Sequence, residues 1–332
     1  MTALRHWLVF ASGTLHFFER EGLLVGDKGI IRQRTLASAV SCRGIGLHGG
    51  ERITMRLLPA TPGTGIVFRR IDAGVEIKAL WNNTANATLC TILSNGEGIE
   101  IKTVEHLMAA LAGSGIDNAI VELDGGEVPA MDGSAAPFLA MIDRAGSVVQ
   151  DLPRRAIKVL KPVEIRCQGA SAALLPDHGF SMSFEIEFEN PLIRSQDMTV
   201  AFDADTFRSE LSRARTFGIL DDVERLKAAG LVQGGSLENA VVISGDQVLN
   251  RDGLRYADEF VRHKLLDAYG DLYLAGGPII GHFRGSRSGH AHTRMLLAAL
   301  FADPAAWRET TLADTPDLPA IAWPERRQRA RA

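Results

Sequence analysis

Three of the nine histidines stand beside carboxylates or small polar residues at spacings that can do chemistry. In the stretch His263-Lys264-Leu265-Leu266-Asp267-Ala268-Tyr269-Gly270-Asp271, a helix stacks His263 and Asp267 one turn apart, so an imidazole nitrogen and a carboxylate oxygen can converge on one metal ion. Asp271 lies one turn further, offset by about 40° around the same face, where it can support a ligand or act in catalysis. A lone His-x-x-x-Asp pair on a surface helix is most often a solvated ion pair. Here Leu265, Leu266, Leu272 and Leu274 give the helix a substantial apolar face, and a partly buried His and Asp need partners. A zinc ion held by three protein groups, with one position open, is such a partner.

His106 is the candidate third ligand, in the middle of an apolar helical stretch; taken alone it reads as a packed core histidine. Glu105 beside it repeats the Glu-next-to-His adjacency in which the carboxylate of a zinc hydrolase is the general base. Adjacent helix positions point about 100° apart, so Glu105 must reach across. His290 follows Ser-Arg-Ser-Gly, a small-residue loop before the last helix. With Asp271 against its ring it would stay protonated near neutral pH and serve as general acid to a leaving amine. His292 falls inside the helix and His282 lacks a comparable loop. His6, His16, His48 and His178 have no polar company and read as loop or surface residues.

The elements that must hold these residues are mixed. The alternation Ile53, Met55, Leu57 and the run 65–70 predict two half-buried strands, paired antiparallel across the turn between them. Residues 101–115 predict a helix with Thr103 as a possible N-cap, 119–126 a strand, and 137–146 a helix begun by Pro137 and ended by Gly146. Proline and charges at 148–155 mark a domain boundary. Beyond it, 156–167 is strand-like and Phe180, Met182, Phe184, Ile186 and Phe188 alternate without a break. Helices are predicted at 204–214, 220–230, 259–276 and 292–302. No regular βα alternation and no nucleotide-type glycine fingerprint is present, which favours α+β layers. The two halves share no sequence repeat.

Composition bounds the partners. The chain has 332 residues, 36 basic and 40 acidic side chains and a net charge of -4, so no broad electropositive face exists and nucleic acid is excluded as the main partner. Three scattered cysteines, Cys42, Cys90 and Cys167, fit neither a disulfide framework nor a thiolate zinc cluster, and point to a reducing compartment. The apolar run from Trp7 to Ala11 is too short and too interrupted for a signal peptide. A cytoplasmic protein without stable membrane insertion is expected, with an amphipathic surface helix at the front as the sharper alternative.

Together these residues resemble the UDP-3-O-acyl-N-acetylglucosamine deacetylase family, zinc amidases of lipid A synthesis. The resemblance runs through RQRTL (32–36), GIGLHGG (44–50), TVEHLMAALAGSGIDNAIVEL (103–123), PAMDGSAAPF (129–138), SRARTFG (212–218), GLVQGGSLENAVV (230–242), LNRDGLRYADEFVRHKLLDAYGDL (249–272) and SGHA (288–291). It implies two similar domains, each a sheet layered with helices, packed face to face with the site between them. The expected divisions are an extension at 1–29, domains at 30–150 and 151–307, and a flexible tail at 308–332. The extension has no family counterpart: a misassigned start is the plain reading, a tether the alternative.

The resemblance assigns one zinc ion per chain to His106, His263 and Asp267, the base role to Glu105, and the acid role to His290 oriented by Asp271. It makes Thr216 a stabiliser of the oxyanion, Lys264 a substrate contact, and Phe217 and Gly218 flanks of the same pocket. An apolar passage for the acyl chain is expected from residues 190–200 with Leu220, Val223, Val232, Ala240 and Val242, although core packing accounts equally for each apolar residue alone. Phe188 matches an aromatic against the uridine. Arg287 stands where relatives often carry lysine near the diphosphate, and arginine keeps the charge while binding phosphate bidentately. The expected partner is the small-molecule substrate, and the expected state a monomer. Two rival readings are a zinc peptidase, against which the absence of HExxH speaks, and a non-catalytic sugar-nucleotide binder, which needs neither acid nor base.

Overall fold

The computed structural model describes residues 30–312 except 87, 88 and 204; the extension at 1–29 and the tail beyond 312 lie outside the described residues. The helices are α1 (Glu105–Gly113), α2 (Ala136–Ala145), α3 (Leu220–Ala228), α4 (Glu259–Tyr273) and α5 (His290–Ala302). Two sheets, one of five strands and one of seven, share a five-strand order. In the first, Val40–Ile45, Arg52–Pro59, Ala119–Leu123, Ile66–Arg70 and Val75–Lys78 lie side by side. Its central strand Ala119–Leu123 runs antiparallel to Arg52–Pro59 and parallel to Ile66–Arg70. In the second, Val163–Cys167, Ala170–Leu175, Ile279–Ser286, Phe180–Glu187 and Ser195–Ala201 repeat the pattern, with Ile279–Ser286 antiparallel to Ala170–Leu175 and parallel to Phe180–Glu187. One helix precedes each central strand and one follows it: α1 and α2 in the first half, α4 and α5 in the second. The α+β class and the likeness of the halves are therefore as expected, but the likeness is one of topology.

Period-2 alternation explains the second sheet's inner face. Met182, Phe184 and Ile186 are buried while Glu185 and Glu187 are exposed, as side chains on opposite faces of a pleated strand require. The expected antiparallel pair in the first half is corrected: Arg52–Pro59 and Ile66–Arg70 run in opposite directions but Ala119–Leu123 lies between them. That strand buries Ala119, Val121, Glu122 and Leu123, and a strand so covered belongs in the middle of a sheet.

Other expectations are corrected as well. Thr103 is not an N-cap; it adopts φ 60°, and its hydroxyl donates to Glu127 Oε1 at 2.9 Å, so the chain turns sharply from the strand Glu100–Lys102 into α1. In place of the helix expected at 204–214, whose residue 204 lies outside the described residues, the chain forms a wide π-type turn at Phe207–Leu211, where Phe207 is wedged against Gly113 of α1 and leaves no room for a Cβ there. The boundary segment is itself a strand, Ser147–Pro153, paired antiparallel with Arg32–Leu36. Residues 308–311 are not a free tail, since Trp307–Thr311 pairs with Arg155–Val159.

The two halves meet through α1 and α4. At Gly270, in the last turn of α4, a Cβ would lie 2.0 Å from the carbonyl oxygen of Glu105, so the absence of a side chain is what allows the backbones to cross there. This crossing sets the first turn of α1 against the ligand-bearing face of α4.

Candidate active site and metal centre

Glu105 opens α1 and His106 follows it; both lie in the first turn, where the helix N-terminus favours negative charge, not mid-helix as the sequence alone indicated. From α4 come His263, Lys264, Asp267 and Asp271, all but Lys264 buried. His106, His263 and Asp267 place one donor atom each within 4.8 Å of one another. Asp267 Oδ1 lies 3.3 Å from His106 Nε2 and 3.3 Å from His263 Nε2. For bonds of about 2.0–2.1 Å, a tetrahedron has an edge of about 3.3 Å, so both separations suit a shared cation. Three further observations favour a metal here. Asp267 Oδ1 is buried without a hydrogen-bond partner, a costly state unless a cation takes the lone pair. His263 Nδ1 lies 3.1 Å from the Ala214 carbonyl; donation there leaves Nε2 free as a ligand. Burial lowers the His263 pKa to about 4, keeping the ring neutral as ligation demands.

Asp267 is held ionised. Burial pushes its carboxyl up, but His263 and Lys264 outweigh that and hold it well below the usual carboxylate range; Lys264 Nζ donates to Oδ2 at 2.7 Å. Glu105 shifts the other way, raised by burial against the opposing pull of His290 and His106. Such a carboxylate is a stronger base than a solvated one. His290 is the first residue of α5, with Gly289 as its N-cap, a correction to the loop position expected for it; the strand Ile279–Ser286 ends so close before α5 that no longer loop exists. Its Nδ1 lies 2.8 Å from Asp271 Oδ2. Its Nε2 faces Glu105 Oε1 at 3.8 Å and Asp267 Oδ2 at 3.9 Å. Burial by itself lowers this imidazole, but Asp271 and Glu105 raise it to about 9. A basic carboxylate and a protonated imidazole thus face each other beside the three donors.

These groups open onto a cleft of about 580 Å³. Thr216, Phe217, Gly218, Leu220, Val223, Val232, Ala240 and Val242 line it together with Lys264 and Phe188. Phe188 is partly exposed and packs edge-on against Phe217, which in turn packs against Phe260. The apolar arm comes from the segment between Phe217 and Leu249, which folds as α3 and the small sheet of Phe217–Ile219, Val241–Ser244 and Gln247–Val248. Residues 190–200 do not line it; Ser195–Ala201 is instead a strand paired with Phe180–Glu187. Arg287 also lies off the lining, its guanidinium 3.0 Å from Glu187 Oε2.

Several site residues carry no signal in the sequence. His48, whose sequence context is that of a loop or surface residue, is buried, lines the cleft and has an unpartnered Nε2. Glu127 fixes its loop, accepting from the backbone of His48 and Gly49 at 2.9 Å each. Glu259 anchors the segment bearing Thr216: its carboxylate accepts from Arg215 N, Nε and Nη2. The backbone N–H of Thr216 donates to the Gly133 carbonyl at 2.8 Å, and Gly133, at φ 83° and with a Cβ position 2.1 Å from Asn239 O, has space for no other residue. Only the identity of Gly133 within a turn-like Asp-Gly-Ser hinted at such a role.

The chain is similar to proteins of one known family. The family UDP-3-O-acyl N-acetylglycosamine deacetylase matches residues 33–302. A protein of Nitrosococcus oceani named UDP-3-O-acyl-N-acetylglucosamine deacetylase is 50% identical over 289 residues, covering 86% of this chain and 95% of that one. Proteins of the same name from Vibrio parahaemolyticus and Vibrio campbellii are 48% and 49% identical over 286 residues, covering 85% of this chain and 94% of each relative. With a buried His-His-Asp centre among the described residues and a family match that runs from the strand Arg32–Leu36 to the end of α5, the chain belongs to the UDP-3-O-acyl N-acetylglycosamine deacetylase family.

Proposed function

We propose that the chain hydrolyses the acetamide of UDP-3-O-acyl-N-acetylglucosamine to UDP-3-O-acyl-glucosamine and acetate, the committed step of lipid A biosynthesis. One observation carries the reading. Three buried metal-ligand donors, a raised carboxylate and a raised imidazole converge at the head of a single cleft whose other arm is apolar.

The metal is one Zn2+ per chain, held by His106, His263 and Asp267; when bound it supplies Lewis-acid polarisation of the acetamide and activation of water near neutral pH. Glu105 takes the proton from the attacking water. His290, kept protonated by Asp271, gives a proton to the departing glucosamine nitrogen, which would otherwise leave as an unstable amide anion. The Thr216 hydroxyl faces the developing oxyanion, a contact typically worth a few kcal/mol. Lys264, on the rim of the centre, contacts the sugar end of the substrate, and Phe188 offers its ring to the uridine. Arg287 serves the diphosphate in this reading, for which it must exchange Glu187 for phosphate oxygen. Leu220, Val223, Val232 and Val242, with Phe217 and Gly218 at the neck, take the acyl chain.

The working unit is a monomer with domains at 30–150 and 151–312, the second carrying the acyl passage and closed by the strand Trp307–Thr311. No helix among the described residues is long and apolar enough to cross a membrane, and Cys42, Cys90 and Cys167 are all free thiols, which supports a cytoplasmic location. Incubation with UDP-3-O-acyl-N-acetylglucosamine of several acyl lengths, with and without a chelator, tests reaction, metal dependence and chain selectivity together. Acetate release that a chelator abolishes and zinc restores is expected; release indifferent to the chelator, or none at all, overturns the reading.

A further inference from the structure

Resting on that reading, we propose that Thr91 is the positioning residue that holds the general base and the general acid in register with each other. Thr91 sits between Cys90 and the strand Ile92–Ser94, 14 positions from Glu105 and 180 from Asp271 in sequence, and is buried. Its backbone N–H donates to Glu105 Oε2 at 3.0 Å, and its carbonyl accepts from Val104, the N-cap of α1, at 3.4 Å. Its hydroxyl lies 2.5 Å from Asp271 Oδ1 and 3.1 Å from His290 Nδ1. One residue therefore touches the base, the acid and the carboxylate that orients the acid.

The proton count allows a single arrangement of these bonds. A hydroxyl carries one hydrogen and two lone pairs. Asp271 offers only acceptors when ionised, so the hydroxyl donates to Oδ1 and accepts from His290 Nδ1–H, which also donates to Oδ2. The ring is then fixed with Nε2 turned toward Glu105 Oε1. The backbone N–H occupies the other Glu105 oxygen, Oε2, leaving Oε1 as the free basic atom. Both reacting atoms are thus presented to the same space by one rigid turn of chain. Removal of the hydroxyl leaves Asp271 Oδ1 buried and unpaired and the imidazole free to tilt, which affects proton transfer more than substrate affinity.

The test compares Thr91→Val, Thr91→Ser, Asp271→Asn, the Thr91→Val/Asp271→Asn double variant and Glu105→Gln, each assayed as the zinc-loaded full chain, with zinc content and thermal melting measured in parallel. Orienting partners of this kind are typically worth about 10–100-fold in activity. Thr91→Val is expected to lose about that much kcat with KM and zinc content unchanged, Thr91→Ser to recover most of it, and the double variant to lose little more than Asp271→Asn. Wild-type kcat in Thr91→Val, additive losses in the double variant, or a loss that Thr91→Ser fails to restore overturns the proposal. Full activity in Glu105→Gln instead overturns the base assignment on which it rests, so the two failures are told apart.

Discussion

The two halves fill the same slot of the same topology with opposite chemistry. In each, a segment is inserted between the edge strand of the sheet and the helix that precedes the central strand. In the first half this segment, between Val75–Lys78 and α1, forms the short hairpin Ile92–Ser94/Glu100–Lys102 and delivers Thr91 to the acid and base. In the second, between Ser195–Ala201 and α4, it forms α3 and a three-stranded sheet and delivers an apolar wall. The helices that follow differ likewise. Past its first turn α1 buries only apolar side chains, whereas α4 buries His263, Asp267 and Asp271 over successive turns. In the proposed reading a twice-used scaffold divides the work: one insert orders protons and the other accommodates a chain, while α1 and α4 together carry the three candidate metal ligands.

That division can be broken from either side. The largest effect is expected in the first half, where Glu105→Gln should lower kcat by about 10²–10⁴-fold, the range of general acid–base catalysis, with zinc content unchanged by metal analysis. Next is the pH limb of His290. Because its proton is held to about 9, kcat should fall about tenfold per unit above that pH, and His290→Gln should abolish the limb. The same shift also stabilises the fold: the contribution is full below the ordinary value of 6.5 and is lost as pH rises through about 9. Urea melts across that window should show the decline in the wild type and not in His290→Gln.

The junction comes third. Gly270→Ala places a methyl against the Glu105 carbonyl and should destabilise by about 1–3 kcal/mol, the cost of overpacking, with weaker zinc retention because α1 and α4 must part. Chemical denaturation and metal competition measure both. The smallest effect belongs to the apolar insert: Val223→Ala should raise KM for long acyl chains by about three- to tenfold and leave kcat unchanged. A kcat loss there would show that the division of labour between the inserts is not clean.

Much of the site was legible because it is local. His263, Asp267 and Asp271 share a helix face at intervals of four, and the leucines between them announce burial before any coordinate is known. Glu105 and His106 are neighbours and could be read as base and ligand. By contrast, Thr91, Glu127, Glu259 and His48 look like ordinary loop or helix-end residues, and the groups they hold in place lie as far as 199 positions away.

The sequence by itself determined which residues can ligate, donate and accept, because residue type and helical period decide that without reference to the rest of the chain. It also determined some of the strands, through alternation such as Met182, Phe184 and Ile186. Only the tertiary structure decided that Ala119–Leu123 lies between strands expected to pair, that the halves share one topology without sharing sequence, and that the passage is built from the segment around α3. Above all it decided that two histidines 157 positions apart face one carboxylate oxygen. That contact depends on a backbone crossing at Gly270, where the missing Cβ lets the helices close, and a crossing between distant segments leaves no periodic trace in either of them.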